Sequence, residues 1–443
     1  MPYIPHTDDD RREMLATIGA SSIDELFREV PENLRVKGLL DIPSAMDEDR
    51  LYRHLIELSG RNVNLAENVC FLGAGIYDRY VPAIVGTMLS RGEFLTAYTP
   101  YQPELSQGYL QTIYEFQSMV AELYGMDVAN ASMYDAATAM AEAAILAHGV
   151  NGKSTIAVSS AVHPHYRDVL KTYCWSTSLQ VVELPATAGK TQGLDSLGDD
   201  VACVIVQSPN FFGLVEDLAS VSAAAQSAGA LFIAVSDPVA CALMKPPGEF
   251  GADIVVGEGQ PCGISMGYGG PLLGLFACKS EHVRKIPGRI VGRTTDHDGT
   301  PGFVMTLRTR EQDIRREKAT SNICTNEALM ALAATVYLSA VGKNGLQQIA
   351  EATVRNTAYA RHKLVEAGAT LKFEGHMFGE FVLELPKDPA TVRDWLLEKG
   401  ILAGLPLGDY YPTLKNCLLV AVTECRTVEE IDRFALELKA AIA

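Results

Sequence analysis

The side chains best suited to chemistry fall in a few short stretches. The first is Phe94-Leu-Thr-Ala-Tyr-Thr-Pro-Tyr-Gln-Pro-Glu-Leu-Ser-Gln-Gly108. Pro100 and Pro103 lack an N–H and push the preceding residue to extended geometry, which excludes a helix interior and a central strand. The prediction is a loop. It groups Phe94, Tyr98 and Tyr101 with Thr99, Gln102, Glu104, Ser106 and Gln107, carries no basic residue, and ends at a helix start. Loops held by a rigid scaffold are where binding groups concentrate; a well-packed connection is the plainer reading, and this stretch alone favours neither. A second stretch, Ser321-Asn322-Ile-Cys324-Thr325-Asn326, precedes another helix. It suits capping, by Thr325 and Asn326 above all, or contact with another chain. Two basic runs, Lys285 to Arg293 and Arg308 to Lys318, contain Arg289, Arg293, Arg315 and Arg316. Each reads as a solvated face with mixed ion pairs or as a site for an anion or an acidic partner. Asp237 follows an apolar run, as a turn former or as an acid held at a sheet's end. His163-Pro-His165 has no carboxylate or cysteine in register, so capping or packing is expected and no metal is assigned.

Elements must position these groups, and the bulk numbers bound them. A chain of 443 residues with 48% hydrophobic and 21% charged residues implies two or three structural units and excludes wholesale disorder. The formal charge of −17 argues against binding to phosphate backbones, so no nucleic-acid partner is expected. Nine cysteines, none in a Cys-x-x-Cys pair, suit a reducing compartment. The acidic, proline-broken start is no signal peptide, and no uninterrupted apolar run is long enough for a bilayer. The expected location is cytoplasmic, with no membrane contact.

Residues 1–65 read as short helices forming an arm: Thr7 caps the first, Ser22 the next, and Asp47 to Leu58 makes a third. Gly73-x-Gly75 lacks the third glycine of a dinucleotide fingerprint and is expected to serve a tight turn. A helix carries Ile113, Phe116, Val120 and Tyr124. Another, capped by Asp135, runs from Ala136 to His148 and ends at Gly149. From Ser154 to Cys278, apolar runs alternate with helical spacers: 155–159, 180–184, 202–206, 231–235, 253–256 and 273–277. Continuous apolar strands are buried on both faces, which predicts an α/β fold with a mostly parallel sheet over residues 66–325. Residues 326–443 read as a smaller C-terminal α+β domain, opening on helices over 326–341 and 345–367.

That outline resembles the aspartate-aminotransferase-like, fold type I pyridoxal-phosphate enzymes. Such enzymes need a lysine for the imine, an acid on the pyridinium nitrogen and a helix N-terminus for the phosphate. Asp237 stands where the acid belongs. Gln260, which cannot form an imine, stands where the lysine is expected, and Asp135 caps the helix that would receive the phosphate, where a carboxylate repels an anion.

Longer motifs are similar to one family: Phe71-Leu-Gly-Ala-Gly-Ile-Tyr, Tyr98 to Gly108, Asn130-Ala-Ser-Met-Tyr-Asp135, Gly257-Glu-Gly-Gln-Pro, Pro287-Gly-Arg-Ile-Val-Gly, and Thr309-Arg-Glu-Gln through Asn326. They resemble subunit 1, the alpha chain, of the two-subunit glycine dehydrogenase (decarboxylating), the P-protein of the glycine cleavage system. Ala136 and Asp313 depart from it, where glycine and histidine are expected. The resemblance implies that pyridoxal 5'-phosphate is bound by the partner beta subunit, subunit 2, in an α2β2 complex. It also implies that glycine loses carbon dioxide and that its aminomethyl group passes to the lipoyl group of H-protein. Within it, Thr99, Tyr101, Gln102, Glu104, Ser106 and Gln107 are candidates for a shared site, with no nucleophile in this chain. Asp237 is a vestigial pyridinium partner. Arg289, Arg293, Arg315, Arg316, Ser321, Asn322, Cys324 and Thr325 are candidate interface groups. Two other readings stay open: a purely structural subunit stabilising the beta chain, and a self-sufficient pyridoxal enzyme using another lysine.

Overall fold

The computed structural model describes residues 4–97 and 100–443. It separates into two compact units, Met1–Val63 and Asn64–Ala443. In the first, Thr7 and Asp10 form a capping box on helix Asp8–Ile18, and Gly19 ends that helix in left-handed geometry. Ser22 Oγ accepts from Glu25 N, 3.3 Å, although the element it serves is only a 3₁₀ turn, Asp24–Phe27. Asp47 caps helix Glu48–Ser59. No residue from 4 to 63 is buried, so these helices hold no core among themselves.

The second unit is built on a seven-stranded sheet. Its strands lie in the order Val128–Ala129, Gly274–Cys278, Ile254–Glu258, Leu231–Val235, Val201–Gln207, Thr155–Ser159, Gln180–Leu184. Gly274–Cys278 runs antiparallel to both its neighbours, and the other pairs are parallel. Alternate residues serve opposite faces. Ile156, Ile205, Ile233 and Val256 pack with Ala139, Ala143 and Leu146 of helix Ala136–Asn151. Ala157, Val204, Ala234 and Val255 pack with Phe116, Val120 and Tyr124 of helix Gln107–Tyr124. Alanine at the crowded positions lets helix Ala136–Asn151 lie close on the sheet.

That helix passes Gly149 and stops at Gly152, φ 73°, contrary to the expected end. Gly149 keeps helical geometry, while the His148 ring bonds Lys153 O at 2.7 Å across the final turn. A hairpin, Ile290–Thr295 with Pro301–Thr306, was not foreseen. The long helix Ala328–Glu366 breaks at Gly342, where φ is 60° and ψ −178°. It has the length and composition of a bilayer span, yet Ala331, Ala333, Ala334 and Tyr337 are buried with Phe116 and Val120. A four-stranded antiparallel sheet follows, ordered Thr370–Leu371, Glu380–Glu384, Cys417–Ala421, Leu405–Pro406. Phe381, Leu383 and Leu419 pack there with Ile431, Phe434 and Leu438 of helix Val428–Ile442.

Candidate functional site

Two places gather the chemistry-bearing side chains. At the first, the loop from Pro100 to Ser106 is a series of turns, with Gln102 O accepting from Leu105 N and Ser106 N. Gln102, Leu105 and Ser106 help Glu93, Phe94, Thr96 and Tyr109 line a cavity of about 530 Å³. Glu104 is exposed, and Thr99 lies outside the described residues. Ser106 precedes helix Gln107–Tyr124 without capping it through its side chain. Gln107 is pinned: Nε2 donates to Pro103 O and Phe303 O, and Oε1 accepts from Phe303 N at 2.9 Å.

Tyr101 is drawn inward. Its hydroxyl donates to Asn326 Oδ1, the Arg289 guanidinium lies 4.4 Å from its ring centroid, and burial raises its pKa to about 12. Arg289 also donates to Cys324 O at 2.9 Å and lies 3.6 Å from Glu311. Asn326 Nδ2 bonds Ala131 O and Ser132 Oγ, each at 2.9 Å. The expected capping role of Thr325 and Asn326 is therefore corrected: helix Ala328–Glu366 has no side-chain cap, and Asn326 instead ties three segments together. Ser321 Oγ accepts from Ile323 N and bonds the buried carboxyl of Glu142, which burial pushes up to about 7. Asn322, Cys324 and Thr325 are exposed. Arg315 donates to Thr309 O, and Arg293, Arg315 and Arg316 are exposed. The departure Asp313 pairs with Arg308 at 3.0 Å. Tyr101, Arg289, Cys324 and Asn326 are thus assembled; Gln102, Glu104 and the outer arginines stand apart from that cluster.

The second place is the cleft at the strand ends, where a pyridoxal site would lie. Asp237 Oδ1 accepts from Val239 N at 2.7 Å, and Oδ2 lies 3.8 Å from Nη2 of the buried Arg79, whose other end holds Glu424 at 2.6 Å. Gln260 is 1% exposed. Its Oε1 accepts from Tyr77 N, and Nε2 donates to Tyr77 O and Ile264 O, at 3.0, 3.0 and 2.7 Å. Asp135 accepts from Thr138 N at 2.8 Å, while Glu258 Oε2 accepts from Ala136 N at 3.1 Å. Glu380 takes the Tyr77 hydroxyl at 2.9 Å and Ala74 N at 2.7 Å, and burial lifts its pKa to about 7. Gly73 is required here: a Cβ would come 2.5 Å from Glu380 Oε1 and 2.4 Å from Ala421 Cβ. The space left among Tyr77, Tyr166, Asp237, Glu258 and Glu380 is about 50 Å³. His163, expected to cap or pack, does both: Nδ1 accepts from His165 N, and the ring stacks on Tyr166 at 4.4 Å.

The ring acid, the imine position and the phosphate-receiving helix are all engaged by protein groups. Pyridoxal phosphate does not fit this cleft. Sequence reasoning found Asp237, Gln260 and Asp135 but missed Tyr77, Arg79, Glu258 and Glu380. Glu258 had a local signal, a carboxylate between Gly257 and Gly259 at a core strand's end; Tyr77 and Glu380, 303 positions apart, had none.

A family model described as glycine cleavage system P-protein matches residues 1–438. The chain belongs to the glycine cleavage system P-protein family. Within that family it is of the subunit 1 type. A protein of Anoxybacillus flavithermus named "Probable glycine dehydrogenase (decarboxylating) subunit 1" is 52% identical over 439 residues, covering 98% of each chain. A Brevibacillus brevis protein of the same name is 51% identical over 442 residues, covering 99% of this chain and 98% of the other. A crystal structure of glycine decarboxylase (P-protein) of the glycine cleavage system, in inhibitor-bound form, superposes with a TM-score of 0.92 at 43% identity, covering 100% of both chains. Lactobacillus brevis glutamate decarboxylase shares the fold alone, with a TM-score of 0.67 at 15% identity over 94% of this chain and 97% of that one. The chain therefore has the fold type I pyridoxal-enzyme architecture that its two-domain outline resembles.

Proposed function

We propose that this chain is the half of a two-chain glycine decarboxylase that does not hold the cofactor. Pyridoxal phosphate is carried by the subunit 2 partner, two copies of each chain make the complex, and the aminomethyl group goes to lipoylated H-protein. One observation carries the reading: Gln260 stands where the imine lysine is expected and is clamped on the Tyr77 backbone. Loss of carbon dioxide from glycine needs an electron sink, which the cofactor supplies when bound. This chain's contribution is the surface around Tyr101, Arg289 and Asn326 with the cavity beside it, which shapes and dries a site completed by the partner. The subunit 1 naming of the relatives supports a partner chain. The cytoplasmic placement rests on cysteine usage: all nine thiols are free.

Borohydride reduction with pyridoxal phosphate tests this, on the chain alone and mixed with its partner, with each chain then weighed. The expected result is a mass gain in the partner only. A gain at one lysine of this chain would establish the self-sufficient enzyme instead. The purely structural reading has one observation in its favour, since the polar ends of Tyr101 and Gln107 are both spent inside the chain. Alanine at Gln102, Glu104 and Ser106 separates the two. Lost turnover with unchanged complex mass supports a shared site, and unchanged turnover supports scaffolding.

A further inference from the structure

Glu258 closes the core strand Ile254–Glu258 and is 8% exposed. Its carboxyl accepts three backbone N–H groups from three segments: Ala136 at 3.1 Å, Gln260 at 3.0 Å and Leu273 at 3.0 Å. Ala136 N–H belongs to the first turn of helix Ala136–Asn151, one of the donors that a helix leaves without an internal partner. Such a terminus favours an anion. The flanking glycines hold the carboxyl there. A Cβ on Gly257 would meet Ser236 O and the Tyr124 hydroxyl at 2.2 Å, and one on Gly259 would meet Leu273 Cδ2 at 2.7 Å. The backbone on either side of Glu258 is thus pressed against its neighbours. Burial, with Asp135 adding to it, pushes Glu258 up to about 8, so its carboxyl fills the terminus chiefly as a hydrogen-bond acceptor and by its bulk.

We propose that Glu258 is an internal substitute for a cofactor phosphate: its carboxyl occupies the helix N-terminus and, with Gln260 on Tyr77 and Arg79 on Asp237, plugs this chain's own cleft. The inference rests on the reading that the partner carries the cofactor, and adds what shuts it out here. A lysine at position 260 is then not sufficient for cofactor binding. An external phosphate must displace Glu258 and approach Asp135.

The test uses the full chain assembled with its partner, as wild type, Q260K, E258G and Q260K/E258G. Inorganic phosphate is titrated while Tm is followed, and borohydride trapping with pyridoxal phosphate is read on the peptide containing position 260. Wild type and Q260K are expected to show neither a phosphate-dependent Tm rise nor added mass in this chain. E258G is expected to gain roughly 1 to 2 °C at about ten times the phosphate dissociation constant, and the double variant to gain cofactor mass at position 260. Trapping by Q260K as complete as by the double variant overturns the plug. So does a folded E258G that ignores phosphate. If E258G loses its fold, E258S joins it, and circular dichroism is followed as phosphate is added: recovery supports the substitution, and failure of phosphate to restore either variant overturns it. Cofactor mass on the wild-type chain would overturn the earlier reading as well, whereas the variant results bear on the plug alone.

Discussion

Tyr101 and Asn326 are 225 positions apart and form one contact, with Arg289 over the tyrosine ring and Cys324 at the far end of the arginine. The hydroxyl is therefore a positioning group: it fixes the turns of residues 100–106 against the segment that ends at Asn326. Tyr101→Phe leaves Asn326 Oδ1 without its donor and costs about 1–2 kcal/mol, whereas Asn326→Ala also strips the bonds to Ala131 O and Ser132 Oγ and costs more. In the assembled complex each should lower turnover by roughly threefold to tenfold while complex mass stays unchanged. The double variant should fall no further than the worse single one, because both remove the same contact. Additive losses, or unchanged turnover in Tyr101→Phe, would detach this contact from the chemistry.

The Gln107 amide ties the hairpin of residues 290–306 to the start of helix Gln107–Tyr124, pairing with both polar groups of Phe303. Elsewhere along the same strand pair, Gln117 binds Val291 in the same two-ended way, at 2.9 Å for each bond, and is buried. Gln107→Ala should raise hydrogen exchange at the Phe303 amide and leave the Val291 amide protected. Equal protection at Phe303 in both proteins would show that the hairpin holds without this tie. From sequence, residues 285–293 read as a basic run rather than a strand. The pairing that makes it one comes from Pro301–Thr306, whose opening Pro-Gly hides the strand signal.

At the scale of the whole molecule, burial of titratable groups sets the response to pH. Glu142, Glu258 and Glu380 are pushed from 4.5 to about 7, 8 and 7, so the folded chain holds protons that the unfolded chain releases. Their contribution is fully present below about 4.5 and is lost as pH rises through 7 to 8. His163 acts in the opposite sense: lowered from 6.5 to about 4, its contribution is present above 6.5 and lost as pH falls towards 4. Between pH 6 and pH 8 each of the three carboxyls lowers stability by up to about 1.4 kcal/mol per pH unit, so Tm should fall over that range. Glu142→Gln should flatten that fall. A Tm that rises over this range, or a slope unchanged by the substitution, contradicts the assignment.

The apolar strands, the capped helix at Asp135 and the absence of a lysine where the imine belongs are legible from residue types alone. These are local properties: continuous apolar runs need burial on both faces, a carboxylate before a helix accepts its free N–H groups, and glutamine has no amine to react. What the polar groups do depends on the folded chain. Asn326, an apparent cap, became a bridge, because loops far apart in the chain brought it a tyrosine donor and a free carbonyl. Tyr77 with Glu380 and Arg79 with Asp237 fill the cleft by meeting across the fold. A buried polar group must find a partner, and only the folded chain determines which partner lies within reach.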